Sequence, residues 1–260
     1  MRNGRVRVFL LRRRAVAAVG ALVLAGAIFW AVSYPAGTPA SAAQRQLPIY
    51  SVEREQKMCS VSFDAAWGNE DTQALIDILA RYNVKATFFC VGDWAEKYPE
   101  SVKALHDAGH EVMSHSNHHD HYNALTAQQI VEDVTASNRR IAAATGVTPT
   151  LIRCPYGEYD DHVISAIRSM GMEPIQWDVD SLDWKDYDAG TICKRVRDKL
   201  APGSIVLFHN AALHTPEALP SVLEHMIREG YTVVPIGQLI YWENYTIDHT
   251  GRQFPAETAQ

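Results

Sequence analysis

The sequence predicts one parallel α/β domain, built as an open sheet or a closed barrel. Three observations predict it. From Met58 onward, seven short apolar runs alternate with amphipathic helical stretches. Gly109, Gly146, Gly171 and Gly230 stand where such helices should stop. Acids and imidazoles gather at the C-terminal ends of the apolar runs, where parallel α/β folds carry their chemistry.

The chain has 260 residues and is 47% hydrophobic, enough for one large core. That core does not start at the N-terminus. Arg2, Arg5, Arg7, Arg12, Arg13 and Arg14 precede an uncharged apolar run over residues 15–32. A basic flank followed by such a run reads as an export signal or a single membrane anchor, so residues 1–43 are expected to direct export and the protein to act outside the cytoplasm. Arg13-Arg14 also resembles a twin-arginine signal. Residues 44–54 are read as the end of a small, Pro-rich, polar linker.

The strands are expected at 59–64, 86–91, 110–114, 150–154, 174–179, 204–208 and 231–235. Helical periodicity over 69–82 aligns Leu75, Ile76, Leu79 and Ala80, and over 126–145 it aligns Ile130, Val131, Val134, Ile141 and Ala142. Over 216–228 it aligns Leu219, Val222, Leu223 and Met226. The domain is expected to span residues 55–241. After it, 242–260 turns polar and reads as a loosely held tail.

Composition limits the partners. Residues 1–43 hold six arginines and no acids, so without them the net charge falls from −6 to −12. An acidic exported domain is a poor nucleic-acid binder. A membrane contact is expected through the N-terminal segment if it is retained. Cys59, Cys90, Cys154 and Cys193 form no CxxC pair. The first three lie in or beside strands, where thiols act as small apolar residues.

Six of the eleven histidines fall between His106 and His121. His115 and His119 are four apart, a spacing that lets two imidazoles meet one ion; His118 and His121 are competing ligands. Asp64 closes an uncharged strand as a general base, a metal ligand or a helix cap. Arg153 ends another strand and is the obvious partner for a buried acid. Tyr156, in the turn Pro155-Tyr156-Gly157, offers a backbone N–H to an oxyanion. Asp178, Asp180 and Asp183 surround the path to Trp184, and His209 closes the strand through Leu207 as a candidate general acid.

Taken in order, these pieces resemble the polysaccharide deacetylase family with the NodB homology domain, carbohydrate esterase family 4, over about residues 55–240. The family's Thr-Phe-Asp-Asp-Gly-Pro is matched by Ser62-Phe63-Asp64-Ala65-Ala66-Trp67. Its His-Ser/Thr-x-x-His is matched by His115-Ser116-Asn117-His118-His119. Its Arg-x-Pro-Tyr, Asp-x-x-Asp-Trp and Leu-x-His are matched at Arg153–Tyr156, Asp180–Trp184 and Leu207–His209.

The resemblance implies a distorted (β/α) barrel of about seven parallel strands and a hydrolase that removes acetyl groups from a cell-wall polysaccharide such as peptidoglycan. It implies Asp64 as base, His209 as acid, Arg153 orienting Asp64, and Asp180 tuning His209. Tyr156, Trp184 and Leu207 would contact substrate. His115 and His119 would hold a divalent metal, Zn²⁺ or else Co²⁺ or Ni²⁺.

The departure is Ala65, which replaces the family's third metal ligand and resembles a branch associated with sporulating bacteria. Asp64 itself, or Glu70 or Asp71, would then have to complete the site, or two imidazoles and water would hold the ion. A glycan-binding relative without turnover, and a hydrolase for another acyl group, are the alternative readings.

Overall fold

The alternation of strands and helices folds into a curled parallel sheet. The computed structural model describes residues 45–256, and Val16 alone before them. The expected signal or anchor therefore lies outside the described residues. Among the described residues no helix is long and apolar enough to cross a membrane.

The strands are β1 (Ser51–Val52), β2 (Met58–Ala65), β3 (Thr87–Cys90), β4 (Glu111–Ser114), β5 (Leu151–Ile152) and β6 (Glu173–Pro174). They continue with β7 (Val179–Asp180), β8 (Ile205–His209), β9 (Thr232–Val233), β10 (Tyr245–Ile247) and β11 (Arg252–Pro255). The main sheet runs β6-β5-β4-β3-β2-β8-β7, with β9 also on β2, and every pairing in it is parallel. This is the expected distorted (β/α) barrel. The stretch expected as one strand over 174–179 is instead two short ones, β6 and β7.

The helices are α1 (Thr72–Arg81), α2 (Gly92–Lys97), α3 (Pro99–Asp107), α4 (Ala127–Thr145), α5 (Asp161–Ser169), α6 (Ala189–Lys199), α7 (Thr215–Arg228) and α8 (Ile236–Leu239). Thr126 closes a capping box with Gln129 at the start of α4, and Gly146 ends it at φ 75°. Gly109, Gly171 and Gly230 also lie at positive φ, as helix stops require.

Period-two alternation sorts the strand side chains. Val61, Phe63 and Ala65 of β2 pack with Val206 and Phe208 of β8 and with Leu75, Leu79, Leu219 and Leu223 of the helices. Phe63 stacks on Phe88 at 4.7 Å and on Phe208 at 5.7 Å, because all three share a register row. Ser60, Ser62 and Asp64 point the other way, into the barrel. A strand with one oily and one polar face thus divides core from site.

Two expectations about the ends are corrected. Residues 44–54 are not a linker throughout. Ile49 and Val52 are fully buried, and backbone bridges join Ile49 to Ile175 beyond β6 and Ser51 to Ser204 before β8. This segment ties the β6 side of the sheet to the base of β8. Val52 comes so close that a Cβ on Gly203 would sit 1.6 Å from its carbonyl oxygen.

The stretch after Trp242 is not loose either. β11 pairs with β10 and β1 in a small second sheet. The buried Gln253 amide accepts from Tyr241 N–H at 2.8 Å and donates to the Tyr241 carbonyl at 2.7 Å. Polar side chains that serve the backbone carry no hydrophobic signal, which hides both segments from periodicity. All four cysteines are free, and Cys59, Cys90 and Cys154 are buried.

Gln253→Ala strips both partners from the Tyr241 backbone and is expected to lower the unfolding free energy by about 1–3 kcal/mol. Urea denaturation followed by circular dichroism measures it, and an unchanged midpoint would mean that the C-terminal sheet does not stabilise the barrel.

Candidate active site

The site is assembled by register. Asp64 on β2 is the direct Cα partner of His209 on β8, and Ser62 of Leu207. These side chains share the polar, inward face. Two strands across the sheet from β2, beyond β3, β4 ends at Ser114 and delivers His115, whose N–H donates to the Cys90 carbonyl at 2.9 Å. Beyond β5, Arg153 donates its N–H to the Ser114 carbonyl at 3.0 Å. Parallel strands in register bring four functional groups, a carboxylate, a guanidinium and two imidazoles, from distant parts of the chain to one end of the barrel.

Arg153 is fully buried. Its guanidinium donates to Asp64 Oδ1 at 2.7 Å, to Ser62 Oγ at 2.9 Å and to the Gln176 carbonyl at 3.2 Å. It lies 4.3 Å from the centroid of the Phe89 ring and 5.4 Å from that of Trp177. Burial alone would push the Asp64 carboxyl up. The Arg153 charge, with His115 and His209, outweighs burial and holds it below the ordinary carboxylate value. Asp64 is therefore a buried anion at neutral pH, with Oδ2 left over.

Asp64 Oδ2 lies 3.5 Å from His115 Nε2. His115 Nδ1 donates to the Arg153 carbonyl at 2.7 Å, which leaves the lone pair on Nε2. Burial lowers the pKa of His115, and burial together with His115 lowers that of His119 to about 4. The two rings meet edge-on, with centroids 4.9 Å apart. Both are neutral imidazoles at pH 7, the form that ligates metal.

The loop carrying them is clamped. Ser116 and His119 have positive φ. The first two amides of α2, Gly92 and Asp93, donate to the Ser116 and Asn117 carbonyls at 2.9 Å each. Gly92 has no room for a Cβ, which would fall 2.3 Å from Asn117 Oδ1. Asp133 of α4 accepts from Asn117 N–H and Tyr122 O–H. His118 and His121, the competing ligands, are engaged elsewhere, His118 with Asp93 at 2.8 Å and His121 with Glu158 at 2.9 Å. Neither lines the cavity.

His209 is set differently. Its Nδ1–H donates to Asp183 Oδ1 at 2.8 Å, its backbone N–H donates to Asp183 Oδ2 at 2.8 Å, and Thr215 Oγ1 donates to Asp183 Oδ2 at 2.6 Å. Burial would lower the imidazole pKa, but the Asp183 hydrogen bond and charge, with Asp64 and Asp180, raise it above the usual value. The sequence reading gave the tuning of His209 to Asp180, whose charge does contribute to it, but the hydrogen bonds come from Asp183. Asp180 instead accepts from Leu182 N–H at 2.8 Å in a local turn and lines the cavity, and Leu182 at φ 54° swings Asp183 back beneath His209. Spacing alone does not distinguish two aspartates three residues apart.

A cavity of about 380 Å³ opens over these groups. Asp64, His115, His119, Tyr156, Asp180, Trp184, Leu207 and His209 line it, and Arg153 lies behind its wall. Trp67, matched in the first motif but given no role in the sequence reading, and Trp177, not singled out there, also line it; an aromatic in or near a motif was the available signal. Tyr156 sits at φ 59°. Ala65 points away into the helix-side core, while Ala66 faces the cavity. Glu70 and Asp71 do not line it, and Asp71 Oδ2 accepts from Ala211 N–H. Among the described residues no three His, Cys, Asp or Glu side chains form a metal-holding group.

The polysaccharide deacetylase family model matches residues 51–175. A solved carbohydrate esterase family 4 pseudoenzyme from Bacillus anthracis superposes with a TM-score of 0.72 at 34% identity, covering 74% of this chain and 68% of that one. The chain belongs to the polysaccharide deacetylase family, carbohydrate esterase family 4. A mutant of that pseudoenzyme, with restored enzymatic activity, superposes with a TM-score of 0.71 at 35% identity over 74% of this chain and 70% of that one. This family member is also 32% identical, over 209 residues, to the peptidoglycan-N-acetylglucosamine deacetylase of Listeria monocytogenes; the match covers 80% of this chain and 43% of that protein. The chain thus spans less than half the length of that relative.

Arg153→Met leaves Asp64 as a buried carboxylate without its cation. The variant is expected to lose about 3–5 kcal/mol of stability at pH 8. Without Arg153, burial raises the Asp64 pKa, so this loss should shrink as the pH falls and the carboxyl takes up a proton. Denaturation midpoints at pH 8 and pH 5 measure the difference, and an equal loss at both would show that the charge is not the cause.

Proposed function

We propose that this protein hydrolyses N-acetyl groups of peptidoglycan amino sugars, outside the membrane. The observation that carries the reading is the register pair Asp64–His209: an anion held below its ordinary pKa faces an imidazole held above its own, across one cavity. That is the division of labour amide hydrolysis needs, since one group takes a proton and the other supplies one. The names of relatives, deacetylases of N-acetylglucosamine and N-acetylmuramic acid in peptidoglycan, support the substrate class.

In this mechanism Asp64 Oδ2 accepts a proton from the attacking water while Arg153 keeps Oδ1. The water oxygen adds to the acetyl carbon, and the Tyr156 N–H receives the developing oxyanion. His209 gives its proton to the amide nitrogen as the C–N bond breaks, releasing acetate and the free amino sugar. Leu207 and Trp184 give the acetyl methyl an apolar wall.

The donor set fits a divalent ion in part. His115 and His119 would hold it, with Asp64 Oδ2 the nearest anionic oxygen; Zn²⁺ suits these imidazoles, and Co²⁺ or Ni²⁺ are alternatives. Such an ion supplies Lewis acidity toward the carbonyl and acidifies water. The N-terminal segment, as signal or anchor, would bring the domain to the wall. A second reading, glycan binding without turnover, is favoured by Ala65 at the family's third ligand position and by the likeness to a pseudoenzyme.

Acetate release from N-acetylated peptidoglycan fragments, after chelation and then with Zn²⁺ or Co²⁺ restored, separates the two. Metal-restored release is expected, and Asp64→Asn or His209→Ala should abolish it with the circular dichroism unchanged. A folded protein that releases nothing with either metal would leave the binding reading.

Activity should fall as the pH rises through the raised His209 pKa, because the acid is then deprotonated. Asp183→Asn removes the largest raising influence on His209, so the alkaline limb of the kcat/KM profile should move to lower pH. A limb that stays in place would remove His209 as the acid.

A further inference from the structure

Three large aromatic side chains are more than half exposed around the cavity: Trp67 at 56%, Tyr156 at 56% and Trp184 at 52%. An exposed indole forfeits the burial that normally stabilises it, so a cluster of such rings at one cavity mouth marks a surface awaiting a ligand. Tyr156 and Trp184 belong to motif positions. Trp67 belongs to none of the roles assigned above, and no part of the mechanism uses it.

The way Trp67 is presented is the argument. The buried Asn210 side chain reaches both sides of it, accepting from Ala66 N–H at 3.1 Å and donating to the Gly68 carbonyl. The buried Trp94 indole N–H also donates to the Gly68 carbonyl, at 3.0 Å. Asn210 is in turn fixed by its own N–H on the Asp64 carbonyl at 3.1 Å. The backbone on either side of Trp67 is thus locked to the strand that carries the base and to the strand end that carries His209. An exposed ring on a rigid mount binds without first losing backbone freedom.

Its position names the ligand. The Trp67 and His209 ring centroids are 6.0 Å apart at an interplanar angle of 45°. His209 serves the departing amine, so the sugar ring bearing that amine lies on the His209 side of the cavity. We propose that Trp67 is a glycan-stacking residue that binds the apolar face of the pyranose ring adjoining the amine-bearing one, on the His209 side of the cavity, and thereby selects an oligosaccharide over a monosaccharide. This rests on the reading of the cavity as an amino-sugar site, but it does not require turnover.

The test is isothermal titration calorimetry of the purified full-length chain in chelator, with N-acetylglucosamine and with tetra-N-acetylchitotetraose as the probes. The wild type should bind the tetramer at least tenfold more tightly than the monomer. Trp67→Ala should lose most of that preference, with tetramer affinity down about tenfold, a loss typical of a buried aromatic anchor. Trp67→Phe, which keeps a flat apolar ring, should retain most of it, and Ile227→Ala, exposed on α7, should change nothing. A tetramer affinity unchanged in Trp67→Ala, or a wild type that binds no tetramer, overturns the proposal. Acetate release is scored separately: tetramer binding that depends on Trp67, in a protein that releases no acetate, would keep the stacking site and discard the hydrolase.

Discussion

The buried guanidinium of Arg153 is the interaction on which the rest of the site depends. A fully buried cation is tolerated when its charge is answered and most of its donors are met; here Nη1 and Nη2 are bonded while Nε has no hydrogen-bond partner. Asp64 answers the charge, while Ser62, the Gln176 carbonyl and the Phe89 and Trp177 faces complete the surroundings. The same residue's carbonyl fixes the tautomer of His115. One side chain and its own backbone therefore set the charge of the candidate base and the lone pair of the candidate ligand. Such a pair adds little net stability, because desolvation offsets the attraction; its value is positional.

The two titrating partners are separated by contrary electrostatics within one register row. Asp64 faces cations, which lower its pKa and keep it ionised, whereas His209 faces acids, which raise its pKa and favour its protonated form. Both are largely buried, so burial cannot explain the opposite shifts. The neighbours do: Arg153 on one side, Asp183 on the other. Two neutral imidazoles, His115 and His119, line the same cavity.

Strand alternation also explains the character of the first motif. Odd-numbered residues of β2 supply the helix-side core and even-numbered ones the polar interior. Ala65 falls on the core side, packed in the same cluster as Phe63 and Cys90. The small apolar residue suits that place and leaves the two imidazoles without a third protein ligand of the kind the family motif supplies. The chain keeps the candidate acid–base pair and the clamped histidine loop but lacks the donor at the Ala65 position, which is why turnover and metal are tied to the same experiment.

The sequence by itself determined the parallel α/β class, most of the strand positions, the helix stops, and most of the polar side chains at the cavity. Apolar periodicity and glycine punctuation are local, and the ordered motifs mark residues whose chemistry has no structural explanation. Only the tertiary structure decided which aspartate serves His209, because Asp180 and Asp183 differ in sequence by one turn of chain and the choice is made by the left-handed Leu182. Only it turned residues 49–52 and 245–255 from linker and tail into strands, since their partners are far away and their pairing uses backbone groups that every sequence has. Only it gave Trp67 its place beside His209, because a ring's exposure depends on what the rest of the chain leaves uncovered.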